Sequence, residues 1–374
     1  MTVHGEVRPG FEAVQDAFAD IVAASSGGVA FSVVRRGEPL VELWGGSASP
    51  GVPWTRDTRV VVFSGTKGIV ATVVAVLTAH GLLGPGERVA RYWPEFAAAG
   101  KADVPVSQVL AHSVGLPYVE PDLPMADNAA NAAALAAQRP LWTPGTKVAY
   151  HALTYGYLVT ELVHRVTGQR VGELVQELLA APHDLDLRLG TPPTVPVATL
   201  QRAPGYRIST FLQDPERRRI VERMYRGLLD STDTMNSPAY RGAELAAGGA
   251  VATAGAMARL YDLVLTGALL PAAVLAQATR TWSEGIDAIN DRPLRFGLGY
   301  ELADPIGTYG PPTADPAAFG HSGAGGGRHG AWPSRGVGFS FATNELQAED
   351  VDMRASSLLA ALDGALRTQE RNGK

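Results

Sequence analysis

Cysteine is absent from the 374 residues, which excludes disulfides, thiolate metal ligands and a cysteine nucleophile while leaving either redox compartment open. Charge is also sparse. Asp, Glu, Lys and Arg make up 18% of the chain and the formal net charge is −5, so no basic footprint exists for nucleic acid or for an anionic membrane surface. No apolar run reaches bilayer length, and there is no repeat, coiled coil or low-complexity tract. Met1 to Pro9 carry neither a basic nor an apolar leader-like segment, and the helix expected next holds Glu12, Asp16 and Asp20; the expectation is a cytoplasmic protein. Lysine is the rarest of the basic residues: Lys67, Lys101, Lys147 and Lys374 stand against 28 arginines. A buried lysine can lose its proton and an arginine cannot, so a site that needs a basic amine must resist that preference.

What is present is ample apolar material, 46% of residues, enough for one large domain or two interleaved regions. Periodicity predicts a helix over Phe11 to Ala24, strands over Val29 to Arg35 and Leu40 to Trp44, and a short β-branched run from Arg59 to Phe63. Ser64 then opens an apolar helix that reaches about Leu82 and is stopped by Gly84, Pro85 and Gly86. Helical patterns dominate from Val89 to Thr281. Strand patterns return at Leu294 to Leu302, Ala318 to Ser322 and Val337 to Thr343, and a helix closes the chain from about Val351 to Leu366. Strands at both ends imply an α+β fold with a single antiparallel sheet, residues 1–63 and 282–374, with flanking helices, and a mainly helical region, 64–281. The active site is expected in the cleft between them.

Ser64-Gly65-Thr66-Lys67 is the one place where a serine precedes a lysine by three residues. On a helix that offset puts both side chains on one face, and a helix N-terminus favours a developing oxyanion and disfavours a nearby cation. The competing reading makes Ser64 an N-cap and Lys67 a solvated first-turn residue. Against it stand the small or apolar neighbours of Lys67 (Gly68, Ile69, Val70, Ala71) and the chain's avoidance of lysine. Further on, Tyr150 lies between the Pro144-Gly145 turn and a helix start, the kind of loop on which catalytic groups sit. Phe319 to Gly327 ends a strand in a stretch so poor in side chains that something must approach its backbone closely.

In this order the three stations resemble the serine beta-lactamase, penicillin-binding protein and family VIII carboxylesterase superfamily: S-x-x-K at Ser64 to Lys67, Y-x-N at Tyr150 to Ala152, K-T-G at His321 to Gly323. Leu110 to Pro117 is similar to that family's L-x-H-x-[ST]-G-L segment, with Val114 in place of the hydroxyl residue, and Gly248 to Tyr261 looks like its small-residue helix. The resemblance implies a beta-lactamase/transpeptidase-like fold. It implies that Ser64 attacks an acyl carbonyl, that Lys67 accepts its proton, and that Tyr150, polarised by Lys67, shuttles a proton to the leaving group. The backbone N–H groups of Ser64 and Ala324 would form the oxyanion hole, and Ala152, His321, Ser322 and Gly323 would contact substrate. Ala152 stands where the family has asparagine and His321 where it has lysine, which weakens the case for penicillin-type substrates and leaves neutral esters or amides.

Other signals carry less. Gly320 to Ala324 nearly spells a G-x-S-x-G elbow around Ser322, but its last glycine is alanine and no helix can follow through Gly325 to Gly327. No G-K-[ST] accompanies those glycines, and the histidines lack zinc-binding spacing. His112 is expected to serve a turn, while His151, Arg328 and His329 either line the cleft or sit on a solvated loop. The sequence thus points to serine-dependent acyl transfer on a small-molecule ester or amide, without metal or organic cofactor, with water or a small amine or alcohol as acceptor. The rivals are beta-lactamase or D-alanyl peptidase activity and an inactive binding protein on the same scaffold.

Overall fold

The computed structural model describes residues 2–206, 212, 214–228, 231–311 and 314–372. Its main elements in chain order are β1 (Val3–Val7), α1 (Glu12–Ala24), β2 (Gly28–Arg35), β3 (Glu38–Ser49), α2 (Gly65–Ala79), α3 (Asn128–Ala137), α4 (Thr154–Thr167), α5 (Pro215–Tyr225) and α6 (Ala254–Thr266). They continue with β4 (Ser283–Ile286), β5 (Pro293–Phe296), β6 (Glu301–Leu302), β7 (Phe319–Ser322), β8 (Arg328–Trp332), β9 (Val337–Thr343) and α7 (Arg354–Asn372). The strands form one antiparallel sheet in the order β1-β3-β2-β9-β8-β7-β6-β5-β4, with Val52–Pro53 pairing on β3. Its two halves, one from each end of the chain, meet where Val29 to Val34 pair with Thr343 to Gly338.

Composition explains why that junction is central. β2 and β9 are almost wholly buried, and both read as near-continuous apolar runs rather than alternating ones, as expected of strands covered on two faces. One face carries α1 and α7, whose Phe18, Leu358 and Leu362 pack with Phe31, Phe339 and Trp332. The other face carries α6, which lies along β2, β8 and β9 although it falls within residues 64–281. α2, almost entirely buried, packs beside α6 against β7 and β8.

Three of the longer strands escape the sequence patterns. β1 and β4 are edge strands with mostly exposed side chains, so no alternation marks them, and β8 hides behind polar residues: the ring of His329 is buried because its Nδ1 hydrogen-bonds Ser340 Oγ, 2.8 Å away on β9. A helix at Ala272–Thr279 was likewise not expected, and the helix expected over Val171 to Leu179 runs on to His183 through a π-helical turn at Val175–Ala180.

The β2–β3 turn is tied to α6 by Asp262. This fully buried carboxylate accepts hydrogen bonds from the backbone N–H groups of Arg36 (2.6 Å) and Gly37 (2.9 Å) and pairs with Arg259. Removing it strands two donors beside the core. Asp262→Ala is therefore expected to lower stability by about 2–4 kcal/mol, read from the denaturant midpoint at constant slope. A loss below about 1 kcal/mol would show that the turn stands without this anchor.

Candidate active site

The backbone at the start of α2 is set up before any side chain acts. Phe63 holds a left-handed φ of 48°, uncommon for a bulky residue, and turns the chain sharply into the helix. Ser64 is the N-cap residue, yet its side chain makes no capping bond. Its Oγ instead accepts a hydrogen bond from Tyr150 OH at 2.7 Å and lies 3.1 Å from Lys67 Nζ. The reading of Ser64 as a capping side chain falls because it caps nothing, and the solvated reading of Lys67 falls because Lys67 is fully buried.

Lys67 Nζ reaches two backbone carbonyls, Ala152 O at 2.9 Å and Ala247 O at 2.8 Å. Burial pushes its pKa well below the lysine range, against a weaker upward pull from the Glu301 carboxylate. A neutral amine has two N–H donors and one lone pair. In that form, with both donors directed at the carbonyls, the lone pair would face Ser64 Oγ.

Tyr150 is held from three sides. His112, in a left-handed turn with φ 58°, accepts at Nδ1 from the N–H of His151 and at its carbonyl from the N–H of Ala149. Buried Asp287 accepts from the N–H of Tyr150 itself at 3.3 Å, and the Phe296 ring stacks on the phenol at 6.2 Å. Burial raises the Tyr150 pKa well above that of an ordinary phenol, with Tyr225 adding to the effect and the Ser64 hydrogen bond opposing it. Tyr150 is thus a proton donor to Ser64. Lys67 sits over its ring, 4.8 Å from the centroid, rather than on its hydroxyl.

Opposite Ser64 runs the turn after β7. A Cβ on Gly323 would meet the carbonyl oxygen of Val62 at 2.7 Å, so only glycine lets this turn approach the strand that leads into Ser64. Among the described residues, neither the Ser64 N–H nor the Ala324 N–H makes a hydrogen bond, and both residues border a small cavity of ≈ 40 Å³. Phe63, Leu153, Tyr225, Leu228 and Met235 make its wall apolar. Larger clefts of ≈ 730 Å³ and ≈ 540 Å³ lie along β4–β5 and beside α6, and neither is bordered by Ser64, Lys67 or Tyr150.

The remaining expected contacts divide. Ala152 borders the cavity and lends its carbonyl to Lys67. His321 is buried with its ring 6.0 Å from that of Tyr150; burial lowers its pKa to about 4, outweighing the pull of Glu301, so it is neutral at pH 7. Ser322 donates its N–H to Glu301 at 2.8 Å and its side chain meets the same carboxylate, whose pKa is lowered to about 2 despite burial, so the acid beside the elbow is too weakly basic to take a serine proton at neutral pH. His151 does not face the cavity: Nε2 accepts from the N–H of Leu116 and Nδ1 lies 2.7 Å from Ala149 O, which leaves no nitrogen for a ligand. Arg328 turns its guanidinium to the carbonyl of Gly327, and His329 packs beneath the first turn of α2, where a Cβ on Gly65 would meet its ring at 2.5 Å. Asp287, Glu301 and the Ala247 carbonyl were not anticipated. A lone acid in a turn and a backbone carbonyl leave no pattern in a single sequence.

The beta-lactamase family model matches residues 14–363, nearly the whole chain. The chain belongs to the beta-lactamase family. It is 35% identical over 369 residues to the esterase/beta-lactamase LipL of Mycobacterium tuberculosis, covering 92% of this chain and 83% of that protein. Among solved structures, a penicillin-binding protein homologue from Caulobacter crescentus superposes with TM-score 0.89 at 32% identity, covering 98% of this chain and 100% of the other. A family VIII carboxylesterase superposes with TM-score 0.88, again at 32% identity with 98% and 100% coverage. The fold of this family member is therefore beta-lactamase/transpeptidase-like, an antiparallel sheet with flanking helices, and the protein is a serine hydrolase, carboxylesterase-like. Among the described residues, no helix is long and apolar enough to cross a membrane.

With four lysines in the chain, selective lysine labelling makes the ionisation of Lys67 directly observable. In a pH titration followed by carbon NMR of the lysine Cε, two signals are expected below the ordinary 10.5, that of Lys101, lowered by burial to about 8, and one well below 10.5 that vanishes in Lys67→Ala. A Lys67 signal titrating with the solvated lysines would overturn the charge assignment.

Proposed function

We propose that this protein hydrolyses or transacylates a small-molecule ester, or an amide, through an acyl-enzyme on Ser64, in a cleft between the sheet region (1–63 and 282–374) and the helical region (64–281). The observation that carries this reading is the oxygen of Ser64 held between a buried amine whose N–H groups are directed at carbonyls and a phenol that donates to it. As Ser64 Oγ attacks the carbonyl carbon, its proton passes to the Lys67 lone pair, and the N–H groups of Ser64 and Ala324 receive the oxyanion. Tyr150 gives its proton to the leaving oxygen or nitrogen. The resulting phenolate lies beside the Lys67 ammonium, takes a proton from the incoming water, alcohol or amine, and Lys67 returns its own proton to Ser64 as the acyl bond breaks. Every proton is restored at the end of the cycle.

The substrate class follows from what lines the cavity. An apolar space of ≈ 40 Å³ accepts roughly three waters' worth of ligand, which suits a short acyl chain. The relative from Mycobacterium tuberculosis is named for both esterase and beta-lactamase activity, which favours beta-lactam hydrolysis as the second reading. Ala152 offers no side-chain amide and His321 no charge, so we expect short-chain aryl esters to be turned over faster than a cephalosporin.

Two outcomes check the mechanism. A panel of activated esters is expected to leave a mass increment on Ser64. Ser64→Ala should abolish turnover while Ser322→Ala stays within about an order of magnitude of the parent, and the reverse ranking would establish the elbow. Added small amines should divert product from acid to amide above the uncatalysed background; an amide yield at background would leave hydrolysis as the whole activity.

The second outcome concerns the proton carriers. Lys67→Arg should be nearly as damaging as Lys67→Ala, since arginine cannot offer a lone pair, and Tyr150→Phe should cost about 10²- to 10⁴-fold in kcat. In the parent, kcat/KM should rise with pH through the depressed Lys67 pKa, well below 10.5, and fall only as Tyr150 ionises above 10. Substantial activity in Lys67→Arg would show that a positive charge suffices.

A further inference from the structure

Arg292 lies in the turn between β4 and β5, and that turn is fastened to Tyr150 by the carboxylate already met at its backbone. Asp287 accepts from the N–H groups of Ile289 (2.8 Å) and Asn290 (3.1 Å) as well as from that of Tyr150, and its own N–H closes the turn on the Arg292 carbonyl at 2.8 Å. Arg292 is thereby held at a set distance from the phenol: its guanidinium carbon is 5.7 Å from the centre of the Tyr150 ring. Yet the guanidinium makes no hydrogen bond to any described residue, and its Nε is buried without a partner. Its one ion pair among the described residues is with Glu349 at 3.6 Å, between side chains 32% and 40% exposed.

A guanidinium offers five donors in a planar fork, and a buried donor left unmatched demands an explanation. A partly exposed ion pair at 3.6 Å binds weakly and exchanges readily, whereas a carboxylate meeting the fork at two points binds strongly. The wall of the Ser64 cavity is apolar, and His321, at the position where the family carries a lysine, is neutral. We propose that Arg292 is a specificity-determining residue that binds a carboxylate carried by open-chain ester substrates, displacing Glu349. An open chain can bend from the Ser64 carbonyl past the Tyr150 phenol toward Arg292, whereas the carboxylate of a fused-ring lactam is fixed beside its own scissile bond. The proposal rests on the ester reading above and names which esters are preferred.

The test compares two substrates of nearly equal size, 4-nitrophenyl 4-methylpentanoate and 4-nitrophenyl hemisuccinate, which differ in a terminal isopropyl group against a carboxylate. In Arg292→Gln, the ratio of kcat/KM for the charged over the neutral ester should fall tenfold or more, chiefly through KM. Arg292→Lys should keep an intermediate ratio, and Glu349→Gln should raise it. An unchanged ratio in Arg292→Gln, or an equal fall for both esters, overturns the proposal. Independently of turnover, Ser64→Ala protein should bind N-phenylsuccinamate, and the added Arg292→Gln change should weaken that binding tenfold by calorimetry; equal affinities would again overturn it. If the parent turns over neither ester while this binding still depends on Arg292, the ester reading falls and the carboxylate subsite stands.

Discussion

An amine taken out of water with no carboxylate in contact is the constraint around which this protein is arranged. Burial of Lys67 favours its neutral form, and a neutral amine needs two acceptors and something for its lone pair to face. The acceptors come from carbonyls 95 residues apart in sequence, Ala152 after the tyrosine loop and Ala247 before α6, so both segments must be in place before Lys67 can be. The nearby acid, Glu301, is already engaged by the Ser322 N–H and the Tyr309 hydroxyl, and it therefore raises the amine's basicity from a distance without capturing it.

Dependence on backbone explains how the site tolerates its own departures from the family pattern. Where the family has asparagine, Ala152 lacks the amide that would greet a substrate, yet what Lys67 receives from this position is the carbonyl, which any residue supplies. In the same way His321 removes a charge from the β7 strand without disturbing its pairing to β8 and β6. Substrate preference is thus free to drift while the proton machinery stays intact. The histidines illustrate the opposite case: His112 and His151 have pKa values lowered by burial, and Nδ1 of His112 and both ring nitrogens of His151 face backbone N–H and C=O groups, so they serve as struts for the Tyr150 loop.

How much of this was legible follows the same division. The serine, lysine and tyrosine were readable because each is a side chain in a distinctive setting, and the lysine because the chain otherwise avoids it. The sheet from both termini was readable because β2 and β9 are apolar throughout. Edge strands such as β4 face solvent and leave no pattern, and β8 is buried through a hydrogen-bonded histidine that looks polar in sequence. Asp287 and Arg292 were invisible for another reason: an acid and an arginine in a turn are ordinary until the fold brings that turn against Tyr150.

The pairing of β2 with β9 carries a consequence for how the molecule comes into being. Synthesis runs from the N-terminus, so the β1–β2–β3 unit and the whole α2 helix leave the ribosome long before residues 337–343 exist to cover the open edge of β2. For most of translation a strand of Val, Phe and Val residues therefore has no neighbour on one side, a state prone to pairing with the wrong partner. Ser64 is made early and the strands that complete its surroundings are made late. Nascent chains of this protein thus carry Ser64 without the glycine-rich turn opposite it, and the surroundings of Ser64 are completed only with the last fifth of the polypeptide.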